Sequence, residues 1–495
     1  MSKGPKFNKL SEKINTRDNL GINGIAASMQ AELCPVINTV TPRAFYWPFM
    51  VWNYYDFFEN SGITEHTTKV FDKQFLKIND YYFVLSNLIT ENPDRYNLVG
   101  QDKTGTDLRN NPNGPFPFNR EYFVTRFGGM QYYNAGCLTM GYTTETTKDN
   151  ETLKMPHPTK ALGEPMAKAF EAVIKNTEYF KKYRGKNTLV PRSVLQELGE
   201  VLTLDMRNFS ECKRLLRESL FSPKANIKLN NKYLIQSAEY AKFIYKTCPS
   251  FRGKSLSEFR LADMREVLFD YYSPAGFCRY EHDSSLNYIM MRWEVVVGRQ
   301  YFTMALELIW KHLMKALEAP MSGSDWYRAV VETSNHKIQL DHNLEEYIDG
   351  CNFGFAEREK MISKGAGRTK NTKENIDTAV QLLLSLYNRF NNRVDIDKVL
   401  LEYGDEISLA SLIKLIEEYE EKAIGKFLQY IIENWIIKQH KITAHNKTIQ
   451  GRDSFFFEEI EKGLYSRRAE PTPEFQGIRM VQLMQVMMDL DMLEI

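Results

Sequence analysis

The chain has 495 residues, of which 43% are hydrophobic, 13% aromatic and 26% charged; this is globular composition and excludes disorder over most of the length. Its 64 basic and 63 acidic side chains leave a formal net charge of +1, so no global field draws it to nucleic acid or membrane, and any such contact must come from a local patch. The length is that of about two to four domains.

The six cysteines, Cys34, Cys137, Cys212, Cys248, Cys278 and Cys351, are scattered and form no C-x-x-C pair. Zinc ribbons and thioredoxin-like sites are therefore disfavoured, and the thiols read as the reduced, buried residues of a cytoplasmic protein. The basic start MSKGPKFNKLSEK has no apolar stretch behind it, and no window holds about 18 uncharged apolar residues, so neither secretion nor a membrane span is expected.

Residues 1–90 read as an N-terminal helical domain. Between residues 43 and 58 the chain runs RAFYWPFMVWNYYDFF, nine rings in sixteen residues, beginning after a Thr41-Pro42 pair suited to a helix start. Rings at this density make either a core or a stacking surface. A surface for nucleic acid would interleave rings with several cations, whereas Arg43 stands alone here, so the run is expected to be core. Residues 64–89 repeat apolar side chains at Phe71, Phe75, Ile78, Tyr82 and Leu85, the period of an amphipathic helix.

Residues 91–160 carry seven glycines with several prolines and asparagines and are expected to be a long irregular insertion holding at most one or two short strands. Residues 161–356 read as a central helical domain, whose longest helix spans about residues 292–318 with Phe302, Leu306, Ile309, Leu313 and Leu317 on one face. Residues 357–374, with six basic side chains up to Lys373, read as a solvated linker. The segment 375–495 adds helices near 375–390, 408–419 and 423–440, then a hairpin near Phe455 to Arg467 and a closing helix over about 474–493. Helices, hairpin and closing helix suggest a winged-helix-like module, so the fold class expected is mainly α and multi-domain.

Candidate chemistry is sparse. Between Lys438 and Arg468 there are seven basic and four acidic residues, and on a winged module Lys447, Arg452, Arg467 and Arg468 would contact phosphates. Arg368 and Lys370 of the linker could do the same, although Gly365 to Lys370 lacks the spacing and strand of a phosphate-binding loop. Glu332, His336, Asp341, His342, Glu345 and Glu346 are close in sequence. On a helix Glu332/His336 and His342/Glu346 would each share a face, making His336, His342 and Glu346 a candidate metal or acid-base group; His440 and His445 raise a similar reading. No H-E-x-x-H, G-x-S-x-G, kinase, Rossmann or deaminase pattern occurs, and neither a cofactor nor a resident metal is expected.

The segments Leu20-Gly21-Ile22-Asn23-Gly24, Leu33-Cys34-Pro35 and Thr41 to Trp47, with an echo at His445, Phe455 to Phe457 and Asp489-Leu490, resemble uncharacterised bacterial proteins of anti-phage defence-type loci. The resemblance covers mainly the first 60 residues and transfers no catalytic residue. It implies a cytoplasmic component acting with partner proteins. The expectation is thus a non-catalytic subunit of a larger assembly in prokaryotic anti-phage or plasmid defence, with nucleic acid as its non-protein ligand. The alternative is a hydrolase or nuclease using the glycine-rich insertion and the His336/His342 region.

Overall fold

A computed structural model of the chain describes residues 18–493, apart from 63–66, 92–97, 123–130, 149–150, 224–229, 249–250, 252–258, 271, 274–275, 280–283, 318–319, 322–324, 333–337, 349, 352–374, 403–405, 450–453, 462, 469–470, 472 and 474. The described residues are mainly helical, with three short antiparallel hairpins as their sheet structure. No helix among them is long and apolar enough to cross a membrane. The chain divides into two compact units assembled from separated stretches: Met1–Met29 with Arg265–Gly477, and Gln30–Met264 with Ile478–Ile495.

The unit built from Gln30–Met264 and Ile478–Ile495 has the aromatic helix Tyr46–Glu59 at its centre. This helix starts later than the Thr41-Pro42 pair suggests. A start at Pro42 would place Pro48 inside the helix, where its missing N–H costs a hydrogen bond; a start at Tyr46 puts it in the first turn, whose N–H groups have no helical partner anyway. The Thr41 hydroxyl instead accepts from the backbone N–H of Asn38 (2.8 Å). Seven of the nine rings are buried, while Tyr55 and Phe58 are half-buried. Phe45 stacks on Phe83 with centroids 4.6 Å apart, Tyr54 on Phe71 at 4.5 Å and Trp52 on Phe170 at 5.4 Å.

Around it pack the helices Gln131–Thr139 and Gly163–Ile174. The expected helix over 64–89 is present as Thr68–Phe71, a wider π turn Asp72–Leu76, and Lys77–Ile89. The insertion is more regular than its composition suggests: it holds the helices Gln101–Asn110 and Gln131–Thr139 and the hairpin of Thr143–Lys148 with Glu151–Pro158.

Arg43, fully buried, closes this unit by a bidentate pair to Asp489 of the last helix, Arg479–Asp489. Its Nη2 donates to Oδ1 at 2.9 Å and its Nε to Oδ2 at 3.1 Å. The same carboxylate accepts from the backbone N–H of Ala44 (2.9 Å) and from Gln485 Nε2 (3.0 Å).

The other unit is organised by the helix Asn287–Ala316, of whose 30 residues 25 are buried. The sequence suggests one apolar face, but the helix is surrounded, so its charged residues need partners. Glu294 receives Arg389 (2.7 Å) and Arg393 (3.0 Å), and Arg292 reaches Glu402 (2.7 Å). Beside it runs Asn375–Phe390. Leu409–Tyr419 follows, opened by a capping box in which the hydroxyls of Ser408 and Ser411 accept each other's backbone N–H. Ile424–Tyr430, the π-helical Ile431–Lys438 and Gln439–Ile449 then follow in direct succession. The hairpin pairs Phe457–Ile460 with Gly463–Ser466, and the closing helix that follows it in sequence belongs to the other unit. That division departs from a single winged-helix-like module over 375–495.

Candidate interaction surface at the C-terminal hairpin

The hairpin is seated by its own second edge. Leu464 exchanges both backbone hydrogen bonds with Met321 (3.0 Å each), and the Ser466 N–H donates to Leu317 O (2.8 Å), so part of the edge is covered. Its other anchor is His440, nearly fully buried on the helix Gln439–Ile449. The Nε2 of His440 accepts from the Phe456 N–H (3.1 Å), which leaves the proton on Nδ1, facing Asn19 O at 3.0 Å. Burial holds the imidazole down at about 4, with the nearby Lys447 and Arg468 charges adding to the shift. The ring lies 4.7 Å from Trp310 and 5.1 Å from Phe457. His440 is therefore a neutral structural link, with no lone pair left for a metal.

One face of the same helix grips the chain's first described residues: Lys447 Nζ donates to Asp18 O (2.7 Å) and the Thr443 hydroxyl to Leu20 O (3.0 Å). Another face carries Ile442, His445 and Ile449 at i, i+3 and i+7, all exposed, with Ile442 at 45% and Ile449 at 73%. Against this face and the hairpin lies a cleft of about 480 Å³, lined by Lys441, Ile442, His445, Phe455, Phe457 and Glu459. Its rim holds the Lys441–Glu459 ion pair (2.9 Å), and the hairpin adds exposed Ile460 and Tyr465. An apolar floor with a paired-charge rim can bury apolar side chains of a partner.

The cations expected to meet phosphate are engaged within the protein. Lys447 is half-buried on Asp18. Arg467 pairs with Glu458 at 3.0 Å, and the Arg468 guanidinium lies over the Phe456 ring, 5.5 Å from its centroid. Arg452, Arg368 and Lys370 lie outside the described residues, as does His336. His342 sits in a turn before the short helix Glu345–Ile348 and pairs at 2.9 Å with Glu346, both well exposed. Among the described residues no group of three His, Cys, Asp or Glu side chains is placed to hold a metal ion. Cys34, Cys137, Cys212, Cys248 and Cys351 are free and buried; burial pushes Cys34 up to about 12 and Cys248 to about 11, far from a reactive thiolate.

Sequence reasoning weighed His440 as a ligand and missed its role as a hinge pin between Asn19 and Phe456. It also counted the charges of the hairpin and passed over Ile442 and Ile449. The signal was there: an apolar pair seven residues apart on a face away from the buried Ile436, His440 and Ala444. No protein-family model, curated protein or solved structure matches this chain.

Proposed function

We propose that this chain is a non-catalytic subunit of a larger assembly, and that the cleft between the helix Gln439–Ile449 and the hairpin receives an amphipathic helix of a protein partner. The observation that carries this reading is the stripe Ile442, His445 and Ile449 exposed beside an aromatic floor. A helix offering apolar residues at i, i+3, i+4 and i+7 would continue that stripe and fill the cleft. The likeness of the first 60 residues to bacterial proteins of anti-phage defence-type loci supports prokaryotic anti-phage or plasmid defence as the setting. The unpaired, buried cysteines support the cytoplasm as the compartment. The hydrolase or nuclease alternative is left with His342 in an exposed ion pair. Nucleic acid at the hairpin is disfavoured by the internal partners of Lys447 and Arg467.

A photo-crosslinking amino acid placed at position 449 in the native cell should capture one protein reproducibly, and Ile442→Glu should abolish that capture without lowering the melting temperature. Val394, 82% exposed on another helix, is the control position. Equal labelling from positions 449 and 394 would sink the proposal.

A further inference from the structure

The most concentrated cationic run among the described residues lies in the unit built from Gln30–Met264 and Ile478–Ile495. Residues 181–192 read KKYRGKNTLVPR, five basic side chains and no acidic one. The run is held firmly. The Thr177 side chain caps the short helix Glu178–Lys182 by accepting from the Phe180 N–H (3.3 Å). Gly185 turns the chain at a φ of +63°, where a side chain would be strained, and donates its N–H to Asn79 Oδ1 (2.8 Å). Thr188 O accepts from the Tyr82 hydroxyl (2.8 Å), Val190 pairs with Phe116 through both backbone bonds (2.8 and 3.0 Å), and Arg192 Nη1 donates to Pro112 O (2.6 Å).

One of the five cations is used inside. Arg184 turns in to Asp56 (3.3 Å) and lies over Phe180 at 3.9 Å. Lys181, Lys182 and Lys186 remain exposed, with Arg192 half-exposed at the Pro112 end; Lys181 Nζ donates to Asn176 O (2.7 Å) and Lys186 Nζ to Lys182 O (2.9 Å), both in solvent, unlike the part-buried bond of Lys447. The contact to Pro112 brings in the neighbouring Asn110 and Asn113 and the exposed Arg109. The acid that pairs here, Glu178 with Lys182 at 2.8 Å, does so in solvent, where such a pair is worth little. Asp107 is taken by the Tyr81 hydroxyl and by Asn119.

We infer that this fixed loop, with Arg109, is a surface for the phosphate backbone of nucleic acid. Cations on a rigid frame, flanked by neutral amide donors at Asn110, Asn113 and Asn187, match the phosphate and sugar oxygens that take most protein–nucleic acid hydrogen bonds. Leu189 is the large apolar side chain exposed within the run, and one such residue supplies neither the buried face of a membrane-surface segment nor the apolar centre of a protein interface. Its cations come from a one-turn helix, a loop and the last turn of Gln101–Asn110, an arrangement that suits backbone contact rather than the reading of sequence in a groove.

The test is fluorescence anisotropy of the full chain with a labelled duplex DNA and a single-stranded RNA, titrated at several salt concentrations. Neutralising about four phosphates gives a slope of log K against log salt near −3.6 on duplex, a roughly 150-fold loss between 50 and 200 mM salt. The variant Lys181→Ala/Lys182→Ala/Lys186→Ala should flatten the slope by about 2.7 and keep the wild-type melting temperature, because the three side chains are exposed. Arg467→Ala should leave binding unchanged, which separates this surface from the hairpin. Salt-independent binding, an unchanged slope in the triple variant, or binding to phosphatidylserine vesicles with none to either nucleic acid would each overturn the inference.

Discussion

Replacing Asp489 by Asn is the sharpest probe of how the unit around the aromatic helix is held. From the described residues the carboxylate accepts two hydrogen bonds from the fully buried Arg43 guanidinium, one from the Ala44 backbone and one from Gln485. The amide keeps the shape but removes the charge, so a desolvated guanidinium loses its counter-ion. Breaking one side of a buried pair costs about 3–5 kcal/mol, a large share of the roughly 5–15 kcal/mol that stabilises a typical domain. For a unit of this size that is a fall in melting temperature of about 6–20 °C. Because two compact units melt in one chain, the reading should be local: amide hydrogen exchange across Tyr46–Glu59 and Arg479–Asp489, which the pair joins. The companion variant Arg43→Met/Asp489→Leu removes both charges and should recover a good part of the loss, with a coupling energy above about 1 kcal/mol. A penalty below about 1 kcal/mol for Asp489→Asn, or simple additivity in the double variant, would refute the idea that this pair works as a unit.

Two further outcomes follow from the packing and the buried histidines. A Cβ at Gly199 would meet Thr90 Cγ2 at 2.6 Å and the Ser86 carbonyl oxygen even more closely, so Gly199→Ala should cost about 1–3 kcal/mol despite its better helix propensity, and a stabilised variant would contradict the geometry. Burial holds His440 and His312 down at about 4, against about 6.5 unfolded. The unfolded chain thus takes up protons first, and their contribution, complete above about pH 6.5, is lost as pH falls toward 4, by up to roughly 3 kcal/mol for each. Asp270, pushed by burial up to about 6, acts in the opposite sense: it favours the fold at low pH and loses that contribution as pH rises through about 6. Protection factors across Asn287–Ala316, the exchange rates normalised to the intrinsic rate at each pH, should therefore fall on acidification, less so in His312→Leu, and protection unchanged between pH 7 and 4.5 would refute this.

Much of the fold was legible because its signals are local. The period of Phe71, Phe75, Ile78 and Tyr82 gives a helix whatever surrounds it, and the Ser408 cap fixes where Leu409–Tyr419 begins. What was hidden depends on partners far along the chain. Nothing near Arg43 announces that Asp489 will sit against it, 446 residues away, and a window over 292–318 cannot reveal that Arg389, Arg393 and Glu402 will let the polar side of that helix be buried. The insertion was misjudged for the converse reason. The helix Gln101–Asn110 carries Gly105 and buries only Thr104, so composition and period both point away from a helix.

The candidate surfaces expose a limit of counting charge. The hairpin and the loop 181–192 look alike in sequence, each a cluster of Lys and Arg, yet cations can meet phosphate only if the fold leaves them in solvent and the acids around them do not match them in number. In the hairpin, Arg467 is met by Glu458 and Lys441 by Glu459, pairings set by strand register and by the approach of the helix Gln439–Ile449. In the loop, Arg184 is withdrawn by Asp56 from a helix more than a hundred residues earlier and Lys182 meets Glu178 in solvent, while Lys181 and Lys186 stand outside with backbone carbonyls as partners. The two clusters are thereby sorted into different roles. Exchanging Arg467 should change little beyond its own ion pair, while exchanging Lys186 should change the salt dependence of the whole chain.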